Sequence, residues 1–400
     1  MTGARHAHME MAPTEVAPME MIARLVAFDT VSSKPNGALI DFVEAYLRGH
    51  GVACRRTGDT GAGKANLFAT LGPAVAGGVV LSGHTDVVPV ADQAWDTDPF
   101  HVTERNGRLY GRGTADMKSF IAVALALVPE ILAAAPKRPI HLALSYDEEV
   151  GCLGVPALIA DVGAHLPAPA MVIVGEPTSM GIATAHKGCY VYRTAVTGRE
   201  AHSAQPHLGG NAVLAAGALV HFIAGMAAQA RAEAPAASPF EPPYVTFNVG
   251  RIEGGTAHNI VPRQCTFIWQ TRPLPGVAAQ GALDRFTAFA EAEVLPNLRE
   301  FAPEATIATE TLAGAPPLTP ERNGAAEALV RRLTGLNATT AVSFGTEGGL
   351  FQEAGLSTVV CGPGSIDQAH KPNEFIDLDQ IEACIAFMRK LAAWAANPDD

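Results

Sequence analysis

The chain has 400 residues, 48% of them hydrophobic and 17% charged, with a net charge of −12. Such a length exceeds what one hydrophobic core organises, so two domains are expected, and the composition argues against a disordered or fibrous chain. The negative charge argues against nucleic acid or an anionic membrane as partner. Six cysteines with no CxxC pair fit reduced thiols, which makes the cytoplasm the expected location.

Residues 1–15 lack the continuous apolar core of a signal peptide and read as a short frayed tail. Apolar residues then recur at helical spacing over 19–28 and 39–48, which predicts two amphipathic helices ahead of the strands. Four short apolar runs follow: GVVLS (78–82), IHLALS (140–145), AMVIV (170–174) and STVVC (357–361). Runs of this kind are buried on both faces, as in a mostly parallel sheet covered by helices. The longest apolar stretch, 121–135, is interrupted by Pro129 and Glu130 and falls short of the roughly 20 residues of a membrane span.

Between residues 185 and 294 the pattern changes. Residues 190–197 alternate, 211–229 are helical, 244–250 and 265–272 read as strands, and 280–294 is helical again. This describes a small α+β unit with an antiparallel sheet, helices on one face and a proline-rich loop at 232–243. A helix at 325–333 and the strand at 357 return to the first pattern, so the smaller unit is inserted into the larger one.

Unusual polar residues fall at the carboxyl ends of the strands. His84 and Asp86 follow GVVLS, Asp147, Glu148 and Glu149 follow IHLALS, and Glu176 follows the run at 170–174. Asp116 precedes a helix and His370 trails the last strand. Ligands of open α/β sheets bind outside these strand ends, so the residues converge. Clustered carboxylates resist ionisation unless a cation neutralises them, and a His/Asp/Glu set without thiolate suits zinc, cobalt or manganese. Two histidines and at least three carboxylates exceed one catalytic site's usual three ligands, which points to two metals roughly 3.5–4 Å apart. If its strand continues, Asp86 points with His84 and accepts the imidazole's second N–H. Glu148 and Glu149 then point oppositely, one to bind metal and the other to act as general base, with the assignment open. Gly107, Gly111 and Gly113 lie in no strand–GxGxxG–helix setting, so no nucleotide site is expected.

The motifs GHTDVVP (83–89), WDTDPF (95–100), LYGRGTADMK (109–118), DEEVG (147–151), GEPTS (175–179), AHKG (185–188), AHSAQP (201–206), NAV (211–213), TRPLPG (271–276), SFGTE (343–347) and GPGSIDQAHKPNE (362–374) run in order over nearly the whole chain. In them the sequence resembles the aminoacylase and carboxypeptidase family of dinuclear metallopeptidases, peptidase family M20, and within it the acetylornithine deacetylase group. The resemblance implies an α/β catalytic domain with a mostly parallel sheet (1–185 and 295–400), interrupted by a ferredoxin-like lid and dimerisation domain (186–294). It implies two zinc or cobalt ions, with Asp116 bridging them, His84 and Glu176 completing one site, and Glu149 and His370 the other. Glu148 is then the general base. His202 reaches the partner subunit's active site in a homodimer, and Asn259 and Arg272 lie near the substrate carboxylate. The implied reaction releases acetate and L-ornithine from N2-acetyl-L-ornithine, in arginine biosynthesis. Glu347, in a glycine-rich loop, is read as selecting a substrate with a second amine. A broad aminoacylase, a succinyl-diaminopimelate desuccinylase and a dipeptidase are the neighbouring alternatives, and a non-catalytic metal binder the remote one.

Overall fold

The structure, a computed structural model, describes residues 15–397 apart from 59; the tail reading for 1–14 lies outside the described residues. The strands predicted from apolar runs form the centre of an eight-stranded sheet. Ile140–Ser145, Val79–His84, Met171–Pro177 and Ser357–Gly362 lie side by side in parallel, with Asn66–Leu71 and Cys54–Thr57 added antiparallel on one side. Ala183–His186 and Thr340–Val342 extend the other side. Every residue of Val79–His84, Ile140–Ser145 and Met171–Pro177 is buried, as expected of strands covered on both faces.

One face is covered by the helices Pro18–Val26, Gly37–Gly49, Lys118–Ala126, Ala325–Thr334 and Leu378–Ala396, whose apolar residues fuse into the largest core. Val155–His165 and Gly348–Glu353 cover the other. Helix Lys118–Ala126 is apolar all round after Ser119 and buried along its whole length, so it sits between the sheet and the outer helices. A separate three-stranded sheet, Phe375–Asp377, Arg108–Tyr110 and Thr103–Arg105, ties the segment after His370 to the segment before Asp116.

The inserted unit follows a strand–helix–strand–strand–helix–strand order. Cys189–Thr197, Ala212–Ala232, Thr246–Gly254, Gln264–Arg272, Ala279–Phe289 and Thr306–Ala315 alternate along the chain. The sheet is antiparallel, with the second, third, first and fourth strands side by side, the ferredoxin-like arrangement. Phe267, Trp269 and Tyr192 point from it into a core closed by Phe286, Leu219 and Ile223 of the helices.

Two expectations are corrected. The inserted unit does not end at residue 294, because Thr306–Ala315 pairs along its length with Cys189–Thr197, and Leu298, Ala302 and Ala305 join its core. As an edge strand with one face in solvent, Thr306–Ala315 carries threonine and glutamate at its exposed positions and shows no strong apolar run. Nor is 121–135 the longest apolar stretch: helix Ala212–Ala232 is long and apolar enough to cross a membrane by length and composition. Its buried side, Ala212, Ala215, Ala216, Leu219, Ile223 and Met226, packs on the four-stranded sheet.

Close approach of two strands demands glycine at one position near the sheet's functional edge. A Cβ on Gly362 would meet the Gly175 carbonyl oxygen at 2.0 Å, whereas one on Gly163, in an outer helix, would meet nothing within 4 Å. Gly362→Ala is therefore expected to lower unfolding free energy by about 1–3 kcal/mol through overpacking. Gly163→Ala should be neutral or raise it by up to about 1 kcal/mol. Urea unfolding midpoints of the two variants measure the difference.

Candidate metal centre and active site

Parallel pairing brings three strand ends together: Val79–His84 lies between Ile140–Ser145 and Met171–Pro177. His84 closes the first, Glu148 and Glu149 lie just beyond the second, and Glu176 is near the end of the third. Asp116 enters from the loop ahead of helix Lys118–Ala126, and His370 from the segment following Ile366–Gln368.

Asp116 stands between the two imidazoles. One of its carboxylate oxygens lies 3.0 Å from His84 Nε2 and the other 3.4 Å from His370 Nε2. His84 Nε2 is also 3.5 Å from Glu176 Oε1, and His370 Nε2 is 2.9 Å from Glu149 Oε2. The ligand atoms of His84, Asp116 and Glu149 fall within 4.8 Å of one another, as do those of His84, Glu148 and Glu176. The second grouping also admits Glu148 as a ligand; the ion-pair geometry instead pairs Glu176 with His84 and Glu149 with His370, and leaves Glu148 without an imidazole of its own. Most of the set is deeply buried, but the His370 side chain is 54% exposed, so the centre opens to solvent on its side.

Electrostatics mark the cluster as a cation site. Burial and the neighbouring Asp116 push Glu176 well above the usual carboxylate range and Glu149 up to about 7. Burial does the same to Glu148. Burial alone would depress His84, but Asp116 and Glu176 outweigh it and hold the imidazole well above its ordinary value. Hydrogen bonds to Asp116 and Glu149 lift His370 to about 10. Protons are thus held where a multivalent cation neutralises the same groups at neutral pH, and the oxygen and imidazole donors suit a divalent metal. The residues present fit two such ions.

The sequence expectation about strand continuation is corrected in two places. The strand ends at His84, so Asp86 is carried past the imidazole: His84 Nδ1 lies 2.9 Å from the Asp86 main-chain oxygen and 3.6 Å from its carboxylate. That carboxylate instead accepts from Ser32 Oγ (2.7 Å) and from the main-chain N–H groups of Glu148 (3.1 Å) and Glu149 (3.3 Å). Asp86 therefore orients the tandem glutamates directly and His84 through its backbone. The strand before Glu148 also stops at Ser145, and Asp147 adopts φ 56, held by Lys64 Nζ at 2.6 and 2.7 Å. This left-handed turn replaces strand alternation and lets both glutamates face the centre.

Glu347 is not in a free loop. It precedes helix Gly348–Glu353, is 1% exposed, and accepts from Ser82 Oγ at 2.9 Å and from Ser145 Oγ. Both oxygens are thus engaged in tying the His84 strand to the Glu148 strand, which leaves no exposed carboxylate to select a substrate amine. His202 and Asn259 are exposed together on the inserted unit, where the two-residue strands Ala201–His202 and Ile260–Val261 pair. Arg272 is half-buried at the end of Gln264–Arg272, near Lys187. Among the described residues, no hydrogen bond or ion pair joins these three to the metal cluster. Sequence reasoning gave no role to Arg112, Glu374, Lys64 or Ser32; the first two stood in plain view in the GRGTADMK and HKPNE segments.

A carboxylate and imidazole cluster of this kind, at the strand ends of a lid-bearing α/β fold, defines a metal-dependent amidohydrolase. The chain belongs to peptidase family M20/M25/M40, whose model matches residues 80–394. It is 36% identical to the acetylornithine deacetylase of Myxococcus xanthus over 96% of this chain and 98% of that protein. It is 33% identical to that of Proteus mirabilis over 93% and 95%. Its fold is similar to an M20 family metallo-carboxypeptidase from Sulfolobus solfataricus, with a TM-score of 0.73 at 18% identity over 95% of this chain and 99% of that one. It is also similar to a dinuclear metal binding M20 peptidase from Bacillus subtilis, with a TM-score of 0.61 at 13% identity over 94% and 96%.

The proton balance gives a pH signature. Glu149 titrates at 4.5 in a model peptide but at about 7 in the fold, and His370 moves from 6.5 to about 10. Glu148, Glu176 and His84 are raised in the same sense and together outnumber His141, His186 and Lys118, which burial lowers, so the folded chain holds more protons and the stability of chelator-treated protein falls as pH rises from about 5 towards 10. Thermal melts in chelator across this range should show the decline, and added zinc should flatten it, because metal replaces the protons. A chelated protein whose stability rises with pH would contradict the reading.

Proposed function

We propose that this chain hydrolyses the amide bond of N2-acetyl-L-ornithine, giving L-ornithine and acetate, a step towards arginine, with two zinc or cobalt ions. The observation that carries the substrate is the match over nearly the full length of both chains to proteins named acetylornithine deacetylase. His84, Asp116 and Glu176 would hold one ion and Asp116, Glu149 and His370 the other, a division supported by Asp116 presenting one oxygen to each histidine. When bound, such a pair supplies Lewis acidity to the acyl carbonyl and lowers the pKa of water.

The remaining work falls to the chain. Glu148, half-buried and without an imidazole partner, takes the proton of the attacking water as the C–O bond forms, and returns it to the amine nitrogen as the C–N bond breaks. Burial raises its affinity for that proton, which suits a group that must be base and then acid. Asp86 keeps Glu148 in place through its main-chain N–H. His202 is proposed to reach the acyl oxygen from the partner subunit of a homodimer, and Asn259 and Arg272 to contact the substrate carboxylate. The shared ribbon of His202 and Asn259, exposed on the inserted unit, supports such a trans contribution. A cytoplasmic location is supported by six unpaired cysteines.

Purified, zinc-loaded protein is expected to prefer N2-acetylornithine over succinylated amino acids and dipeptides, as judged by kcat/KM across a substrate panel. A higher value for a succinyl or dipeptide substrate would overturn the substrate while leaving the chemistry intact. Glu148→Gln should lower kcat by about 10²–10⁴-fold with metal content unchanged, which separates the base from the ligands.

A further inference from the structure

The two loops that deliver Asp116 and His370 are joined by a chain of side chains, buried at its core and half-buried at Gln93, that the catalytic proposal does not use. It begins at Glu374, whose side chain is fully buried. One oxygen of this carboxylate accepts from the main-chain N–H groups of Ala115 at 2.8 Å and Asp116 at 3.0 Å, and both lie 3.1 Å from that of Gly113. A single carboxylate thus gathers the donors of the turn that presents Asp116. Arg112, equally buried, donates to Glu374 at 2.7 Å and with its other nitrogen to Gln93 Oε1 at 2.6 Å, its guanidinium lying over the Trp95 ring. Gln93 Nε2 in turn donates to the main-chain oxygen of His370 at 3.0 Å. The path therefore runs unbroken from the Asp116 N–H through Glu374, Arg112 and Gln93 to the His370 carbonyl.

Three features make this more than core packing. Arg112 offsets much of the charge of Glu374, so the carboxylate that shapes the Asp116 turn adds less to the repulsion among the site's own acids than a free one would. The planar guanidinium holds two partners at fixed directions, which a single-point cation does not. Finally, His370 is the one exposed member of the cluster and has φ 61, a backbone conformation that needs outside support in a residue other than glycine.

Resting on the two-metal reading above, we infer that Gln93 and Arg112 are positioning residues that set metal affinity at the Glu149 and His370 position, by fixing the His370 loop against the turn that carries Asp116. The His84 and Glu176 position stands on sheet strands and meets this relay only at the shared Asp116, whose turn Glu374 still holds when Gln93 is removed. Outer contacts to metal ligands are worth about 10–100-fold in affinity.

The test is calorimetric titration of metal-free protein with zinc, alongside thermal melts of the metal-free forms. Gln93→Ala is expected to weaken one of two zinc equivalents by about 10-fold or more, with the other equivalent and the metal-free melting temperature unchanged. Arg112→Lys, which keeps a cation beside Glu374 but loses the fork, should show the same one-site loss. Two equivalents of unaltered affinity in Gln93→Ala would overturn the relay, as would equal weakening of both together with a lowered melting temperature. Binding of one equivalent by the unsubstituted protein would instead overturn the two-metal reading, and this inference with it.

Discussion

The rest of the structure is organised around the packing of Asp116 between two imidazoles with three glutamates close by. Carboxylates so close together and so poorly hydrated cannot all be ionised without a compensating charge, and the fold spends much of its precision on holding them there. The parallel sheet supplies coarse placement, because strand ends on one side of it converge. The loops supply the fine placement, each with its own anchor: Lys64 on the Asp147 turn, Asp86 on the glutamate amides, Glu374 on the Asp116 turn.

These anchors share a logic. Each is a charged group whose partners are main-chain groups, serine hydroxyls or an oppositely charged side chain, so it fixes its neighbours without competing for metal. Glu347 belongs with them, since it ties Ser82 to Ser145 beneath His84 and Glu148. The acidic residues near the centre thus divide into those aimed at the cation and those that aim them. The inserted unit has its own core and, among the described residues, reaches none of the cluster by hydrogen bond or ion pair.

Much of this was legible in the sequence because burial on both faces leaves an unmistakable mark. The four apolar runs became four adjacent strands, and the polar residues at their ends became the cluster. What was not legible depended on where strands stop. Alternation predicts opposite directions for Glu148 and Glu149, and it fails because Asp147 turns left-handed with Lys64 as its partner, a contact between residues far apart in the chain. The same failure moved Asp86 from the His84 imidazole to the glutamate amides. Thr306–Ala315 escaped notice because an edge strand with a solvent face carries little apolar signal, and Glu347 was misplaced because glycines on either side suggested a loop where a helix begins.

The central claim is that one carboxylate is shared between two divalent ions. Anomalous diffraction from crystals grown with zinc tests it most directly. The account predicts two peaks flanking the Asp116 carboxylate, roughly 3.5–4 Å apart, one against His84 and Glu176 and the other against Glu149 and His370. A single peak, or a pair in which Asp116 touches only one ion, would contradict it.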